Sequence, residues 1–87
     1  MGDQWISAYP VPFNNNFTVV FKPGVSGNAN LQLIDVSGRI LETKTIQVTA
    51  NVFSSMQFDH SYFLKRGIYF IHYDDHRRKT TLKVIKQ

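Results

Sequence analysis

The chain has 87 residues, 43% of them apolar and 14% aromatic, and its formal net charge at pH 7 is +4. This length is enough for one small core, so we expect one domain rather than two. The sequence contains no cysteine, which excludes a disulfide, a thiolate metal site and a cysteine nucleophile, so the fold must rest on packing alone.

The chain shows no pattern of a targeting or membrane-spanning segment. Its start, MGDQWISAYP, lacks the basic region and apolar run of a signal peptide. No apolar stretch reaches the roughly 18 residues of a membrane-spanning helix. The Met1-Gly2-Asp3 start is typical of an addition to a domain taken from a longer chain. We therefore expect residues 1–8 to be an added start or the end of a linker, residues 9–87 to be the domain, and no insertion into a membrane.

Basic residues are concentrated near the C-terminus. Residues 65–87 contain seven of the ten basic residues against two of the six acidic ones, so this segment has a net charge of +5 and the rest of the chain −1. The positive charge therefore belongs to the last part of the chain, for which we predict a hairpin.

The first clear strand is FTVVF. Its apolar residues alternate, with Phe17, Val19 and Phe21 on one face, and Pro23-Gly24 ends it. The same period of two continues along nearly the whole chain, and no window of about eleven residues keeps a helical spacing. The sequence therefore predicts an all-β chain.

The next two strands are predicted to form a hairpin. NLQLIDV and ILETKTIQV are partners joined by DVSGR. Asp35 can accept hydrogen bonds from the turn backbone, and Gly38 can take the positive φ that a tight hairpin requires. The second of these strands has a charged middle, for which we expect exposure to solvent.

Three further strands follow. NVFSSMQF would place Val52, Ser54, Met56 and Phe58 on one face, and GIYFIHY and KTTLKVI flank the polar DDHRRK as a last hairpin. QWIS near the start is a possible seventh strand. Strands at spacings of about 8–14 residues, with Gly or Pro between them, are typical of an antiparallel β-sandwich of immunoglobulin-like type. We expect such a sandwich of about seven strands, present as a monomer.

Three histidines lie near carboxylates, a pattern that metal sites share. His72 and Asp74 would lie on one strand face at a spacing that metal ligands use, and Asp59 precedes His60. DDHRRK is explained more simply as a solvated turn, whose adjacent arginines would repel a cation. We therefore expect no metal and no other cofactor.

No residue pattern indicates catalysis. None of the serines has a nucleophile-elbow context such as G-x-S-x-G; they are Ser7, Ser26, Ser37, Ser54, Ser55 and Ser61. GVSGNAN has two glycines but lacks the lysine and the strand-to-helix setting of a phosphate loop. We expect no catalytic residue and predict that the domain is not an enzyme.

Basic and aromatic residues interleave in the last hairpin, as they do in proteins that bind single-stranded nucleic acid. In a strand of period two, however, either the face with Tyr69 and Tyr73 or the opposite face with Phe70 must lie in the core. The aromatic side chains are therefore explained by packing, and we expect no nucleic-acid binding.

The chain resembles a known family in four stretches, in order and at the right separations: YPVPFNNNFTV, LQLIDVSGRIL, LKRGIYFIHY and the terminal TTLKVIKQ. They are similar to the type A C-terminal sorting domain of the type IX secretion system of Bacteroidetes bacteria. The resemblance spans roughly Tyr9 to Gln87. Such domains usually begin Tyr-Pro-Asn-Pro-Phe, and Val11 stands in the place of the asparagine, where it cannot form a side-chain turn hydrogen bond.

The resemblance implies a function and a set of partners. Members of the family are attached at the C-terminus of large secreted proteins, fold in the periplasm as a small seven-stranded sandwich and are read by the outer-membrane translocon as an address. A sortase-like peptidase usually then removes the domain, and the cargo is released or joined to surface lipopolysaccharide. The implied partners are the type IX translocon, its shuttle proteins and the peptidase. The implied locations are the periplasm in transit, then the outer membrane, the cell surface or the medium.

The terminal motif supplies our leading candidates for partner recognition, Lys83, Val84, Ile85 and Lys86. We expect the fold to need the apolar pair but not the two lysines. Their strand would offer charge for the encounter and an edge backbone for strand addition.

Other matched residues have structural roles by the same resemblance. Asp35, Gly38 and Arg39 correspond to the family's Asp-x-x-Gly-Arg turn, in which Arg39 is exposed enough to bind a partner. Gly67 and Tyr69 correspond to its Gly-x-Tyr, where the glycine starts a strand. The tyrosine is expected to bury its ring while its hydroxyl reaches a partner or water.

The N-terminal motif contributes Pro10 and Pro12, which fix φ and favour an extended segment leading from the cargo into the fold. An ordinary irregular N-terminus is the alternative for this segment.

The predicted function is a non-catalytic C-terminal secretion signal. The alternative is an adhesive or accessory β-sandwich that shares the fold but is retained uncleaved in a surface protein or translocon component. A carbohydrate- or nucleic-acid-binding module ranks third.

Overall fold

The computed structural model describes residues 5–59 and 64–87. These residues form seven β-strands, and no helix, so no helix that could cross a membrane is present among them. The strands are β1 Ile6–Tyr9, β2 Phe17–Phe21, β3 Gly27–Asp35, β4 Ile40–Val48, β5 Ser54–Phe58, β6 Gly67–Asp74 and β7 Lys79–Lys86. The prediction of an all-β chain with about seven strands is confirmed.

The strands pair into two sheets. One has the order β1-β2-β5 and the other β4-β3-β6-β7, and every strand pair is antiparallel. Both predicted hairpins, β3–β4 and β6–β7, are present. An immunoglobulin constant domain places its fourth strand beside the fifth, whereas here β4 pairs with β3. The two antiparallel sheets confirm the predicted immunoglobulin-like sandwich, but its fourth strand lies in the larger sheet.

The core lies between the sheets and follows the alternation in the sequence. Phe17, Val19 and Phe21 of β2 are fully buried, as their period of two predicts. Phe17 stacks on Phe58 with ring centroids 5.0 Å apart, and Phe13 tilts against Phe17 at 4.6 Å. Offset and tilted aromatic pairs at these distances are favourable beyond the area they bury, so this ring cluster holds one end of the two sheets together.

Two strands differ in extent from the prediction. The first runs from Ile6 to Tyr9 rather than through QWIS, and Gln4 lies outside the described residues. The fifth begins at Ser54, so Val52 lies in the preceding loop and is exposed, while Phe58 is buried. The Val52 amide donates to the Thr49 carbonyl, so the chain turns before the strand begins, and the Asn51 amide ties this turn to the Pro23 carbonyl.

The charged middle of β4 is not fully solvated. Lys44 lies on the inner side of this edge strand, its ammonium 5.4 Å from the centroid of the Phe58 ring and 3.3 Å from a Glu42 carboxylate oxygen. Both side chains are about a quarter exposed, at 27% and 25%. Inward-pointing charges of this kind discourage an edge strand from pairing with another chain.

Candidate functional site

The β3–β4 turn is organised by one carboxylate. Asp35 Oδ1 accepts hydrogen bonds from the Ser37 hydroxyl at 2.6 Å, the Ser37 amide at 2.9 Å and the Arg39 amide at 3.0 Å. Its Oδ2 accepts from Arg39 Nε at 3.2 Å. The Ser37 hydroxyl first, and then the Arg39 amide, hold the pKa of the Asp35 carboxyl below its usual value. Gly38 has a φ of 91°, a region that glycine adopts readily.

The start of β6 lies beside this turn. Tyr69 pairs with Asp35 on one side and with Val84 on the other. Its ring is buried and its hydroxyl donates to the Lys65 carbonyl at 2.7 Å, an arrangement similar to the tyrosine corner of immunoglobulin domains. Gly67 begins the strand with a φ of 145°. The tyrosine hydroxyl therefore fixes the chain that leads into β6.

The end of β7 is tied to the N-terminal segment through Phe13. The Phe13 amide donates to the Ile85 carbonyl at 2.8 Å, and the Gln87 amide donates to the Phe13 carbonyl at 2.8 Å. The Phe13 ring is fully buried. β7 is the last strand of its sheet, and Phe13 bonds to its outer edge only at Ile85 and Gln87. The outer edge of β7 before Ile85 is not paired with a strand of the described residues.

The two lysines of the terminal motif lie on opposite faces of the sheet. A spacing of three residues in a strand reverses the side, so Lys83 points outward and Lys86 inward, the side on which Val84 is buried. The Lys86 ammonium contacts the Asn14 carbonyl and lies 6.0 Å from the centroid of the Phe13 ring. Lys86 therefore has contacts within the fold, and the expectation that the fold does not need the two lysines stays a prediction.

The four family-like motifs, separated by up to about seventy residues in sequence, meet at one end of the sandwich. Asp35, Tyr69 and Val84 lie in one cross-strand row. Gly67, Lys86 and Phe13 lie in the next row on the same face of the sheet. We call this the motif end. Pro10 and Pro12 precede it in a bend at residues 10–12, so the segment turns rather than running extended.

A pocket opens at the motif end between the β3–β4 turn and the start of β6. Its volume is about 470 Å³. Its apolar lining includes Leu41, Leu64 and Ile68, and its cationic lining comprises Arg39, Lys65 and Arg66. The structure thus brings the predicted recognition residue Arg39 together with Gly67 and Tyr69, but places Lys83 on the outer face of the sheet.

The opposite end of the sandwich is organised by Asp75, for which the sequence predicts a solvated turn. That expectation is wrong, because Asp75 is fully buried. Its carboxylate accepts hydrogen bonds from the Tyr73 hydroxyl and from three amides, those of Gly24, Arg77 and Arg78. We call this the turn end. The only sequence signal was an aspartate directly after a strand, a position typical of turn capping.

The electrostatics of the turn end follow from these contacts. Burial acts to raise the pKa of Asp75, but the Arg78 and Gly24 amides and the Tyr73 hydroxyl outweigh it and lower the pKa. Burial, and next the Asp75 carboxylate, raise the pKa of Tyr73. Arg78 donates to the Lys22 carbonyl at 2.9 Å and lies 5.1 Å from the centroid of a Trp5 ring. The turn end is therefore a structural network.

The other candidate chemistry is not assembled in the described residues. His72 and Asp74 share the outer face of β6, but no group of three or more potential metal ligands occurs within residues 5–59 and 64–87. His60 lies outside the described residues. The face of β6 with Tyr69 and Tyr73 is core, as expected for one of its two faces, so these rings are not free to stack on bases.

A family model described as the secretion system C-terminal sorting domain matches residues 7–87. A search of curated proteins found no match. The family match covers all four motifs of the motif end.

Proposed function

Because the chain belongs to the family of type IX secretion system C-terminal sorting domains, we propose that it directs an attached cargo protein through the type IX outer-membrane translocon and is read at its motif end. A signal of this family leads to export toward the outer membrane, the cell surface or the medium.

The observation that carries the proposal is the convergence of the motifs. Hydrogen bonding alone places Phe13 against Ile85, and strand pairing places Tyr69 between Asp35 and Val84. Phe13, Tyr69 and Val84 are themselves buried. Each motif also has an exposed residue beside these positions, so a partner that contacts this end would meet all four motifs at once; these residues are Asn14, Arg39, Arg66 and Gln87. A signal carried by unrelated cargo proteins must be recognised from its own residues. Because the motif residues meet at the motif end, this surface is the one that we expect the partner to contact.

The position of the N-terminal strand supports the same surface. Ile6 pairs with Phe21 near the turn end, and Trp5 packs against Tyr73 with ring centroids 5.2 Å apart. Polypeptide attached before residue 5 would leave the sandwich at the turn end. Cargo would then lie away from the motif end and leave it open to the translocon or its shuttle proteins.

We further propose that a sortase-like peptidase removes the domain by cutting before Trp5. The Trp5 carbonyl accepts a hydrogen bond from the Lys22 amide at 2.7 Å, and β1 is paired along its length with β2. A cut within β1 would therefore require this pairing to open, which favours a cleavage point before Trp5.

A cargo fusion tests the proposal. A fluorescent protein carrying the full chain at its C-terminus would be produced with a periplasmic leader in a bacterium that has a type IX system. We expect fluorescence at the cell surface or in the medium, and expect it to remain in the periplasm in a strain that lacks the translocon. Equal release from both strains would contradict the proposal.

The fate of the domain is read from the same cells. Mass spectrometry of exported cargo should find its C-terminus upstream of Trp5 if the peptidase acts as proposed. An intact C-terminus in exported cargo would contradict removal and support the retained accessory domain.

A further inference from the structure

The outer face of the four-stranded sheet carries an apolar patch at the motif end. The strand register places four residues in one row across the sheet, in the order Ile40, Ile34, Phe70 and Lys83. The neighbouring row adds Ile68 and Ile85. We call the five apolar residues of these rows, Ile34, Ile40, Ile68, Phe70 and Ile85, the outer patch.

The outer patch differs from the rest of the same sheet face. The next row away from the motif end is polar and contains Thr43, Gln32, His72 and Thr81. The row after it contains Thr45, Asn30, Asp74 and Lys79. Within the outer patch, Ile40 is 52% exposed and Ile68 is 43% exposed. A sheet face that meets only water is normally polar along its length, so an apolar end indicates a surface that a partner covers.

Positive charge flanks the outer patch on two sides. Lys83 ends the row at the β7 edge, and Lys65 and Arg66 line the pocket that shares Ile68 with the outer patch. None of these three side chains forms an ion pair with another described residue; the ion pairs found are Arg39–Asp35 and Lys44–Glu42. A second copy of the chain would bring the same cations face to face, which disfavours self-association, whereas a partner with carboxylates would be attracted.

We propose that the outer patch is the docking surface for an acidic, extended segment of a partner protein. Aliphatic side chains of the segment pack on the isoleucines, and its carboxylates meet Lys83 at one side and Arg66 at the other. The proposal rests on the proposed function, since it names the surface through which the sorting signal would be read.

The dimensions suit such a segment. Neighbouring strands lie about 4.8 Å apart, so the row from Ile40 to Lys83 spans about 14 Å. An extended chain rises about 3.3 Å per residue, so about five residues running across the strands cover the row. Alternate side chains of that segment would face the sheet.

The apolar part is tested by export of the cargo fusion. Ile40→Thr combined with Ile68→Thr removes exposed apolar surface while keeping β-branched side chains suited to strands. We expect export to fall about tenfold and the melting temperature of the purified domain to change by less than about 3 °C. Val52→Thr is the matched control, because Val52 is 53% exposed but lies near the turn end; its export should equal that of the parent.

The charged part has a control on the same strand and face. Lys83 and Lys79 are both exposed and both point outward. Lys79, however, lies opposite Asp74 in the strand register, in a polar row. We expect Lys83→Glu to reduce export about tenfold and Lys79→Glu to change it less than twofold. Equal effects of the two variants would indicate a general response to charge and would overturn the proposal.

A titration tests the chemistry of the partner directly. The probe is a nine-residue peptide of alternating isoleucine and aspartate, compared with the same peptide carrying lysine in place of aspartate. We expect the acidic peptide, but not the basic one, to shift the amide NMR signals of residues 34, 40, 68, 70, 83 and 85. Shifts at these amides with anionic lipid vesicles but not with the acidic peptide, or on concentrating the domain without a probe, would overturn the proposal.

The two proposals fail in different ways. If the parent fusion is exported and the Ile40→Thr, Ile68→Thr fusion is exported equally, the docking surface is wrong and the sorting function stands. If the parent fusion stays in the periplasm, the sorting function is contradicted, and the titration then decides the docking surface on its own.

Discussion

The hydroxyl of Tyr73 donates a hydrogen bond of 2.8 Å to the buried carboxylate of Asp75. The same carboxylate accepts a hydrogen bond of 2.7 Å from the amide of Gly24, a residue in the connection between β2 and β3. One side chain therefore ties the β6–β7 turn to the smaller sheet. The contacts of this network hold the sandwich together at the turn end.

Replacement of Asp75 is expected to destabilise the domain strongly. Asp75→Ala would leave the Tyr73 hydroxyl and the Gly24 amide without their acceptor in a buried site, a loss of about 2–4 kcal/mol in the free energy of unfolding. Urea denaturation measures the loss. Asp59→Asn, at an exposed position, is the control and should change stability by less than about 0.5 kcal/mol. A similar small change for Asp75→Ala would contradict the role of the network.

The same carboxylate makes stability depend on acid. Its pKa is lowered in the folded state from the usual 3.8, so the folded state binds a proton less readily than the unfolded chain. Asp75 therefore contributes its full stabilisation above about pH 5 and loses it as the pH falls through 3.8 towards the lowered pKa. We expect the stability difference between the parent and Asp75→Asn to shrink as the pH is lowered from about 6 to about 3.

Urea denaturation at several pH values checks this dependence. Asp35 also has a lowered pKa, but it is present in both proteins and cancels in their difference. A stability difference that stays constant across this range would contradict the assignment to Asp75.

The sandwich was predictable from the sequence because alternation encodes it directly. Phe17, Val19 and Phe21 repeat with a period of two, and the structure buries all three. The β3–β4 hairpin was likewise predictable, since Asp35 and Gly38 supply the capping oxygen and the positive φ that a tight turn requires. These are local signals, and the chain follows them.

What the sequence did not predict depends on contacts between distant segments. Asp75 is buried where it meets Gly24 and Tyr73. An aspartate in a polar stretch of sequence does not predict this burial. In the sequence Lys86 is indistinguishable from an exposed lysine. The structure pairs it with Phe13, a residue far earlier in the chain. The outer patch appears only when the register places Ile40 and Phe70 in one row.

Replacement of Gly38 tests how much the backbone conformation of the β3–β4 turn contributes to stability. Its φ is 91°, and a Cβ added there would meet no other atom within 4 Å. The cost of Gly38→Ala is therefore one of backbone conformation, about 1–2 kcal/mol in the free energy of unfolding. Gly38→Asn should cost less, because asparagine tolerates positive φ better than alanine. Thermal unfolding of the two variants measures the order, and a lower stability for the asparagine variant would contradict this explanation.

The two lysines of the terminal motif are expected to separate recognition from stability. Lys83 points outward and has no ion pair with a described residue, so Lys83→Gln should change the free energy of unfolding by less than about 0.5 kcal/mol. Lys86 contacts the Asn14 carbonyl and the Phe13 ring, so Lys86→Gln should cost about 0.5–1.5 kcal/mol. Urea denaturation of the two single variants distinguishes these values.

Export of the cargo fusion completes the comparison. Lys83→Gln should reduce export while the domain remains as stable as the parent, because the change removes a charge beside the outer patch and nothing from the core. Lys86→Gln should reduce export only as far as it loosens the contact between Phe13 and β7, so lowering the growth temperature should restore its export but not that of Lys83→Gln. If both variants are exported like the parent at every temperature, neither lysine is read, and recognition must lie in other residues of the motif end.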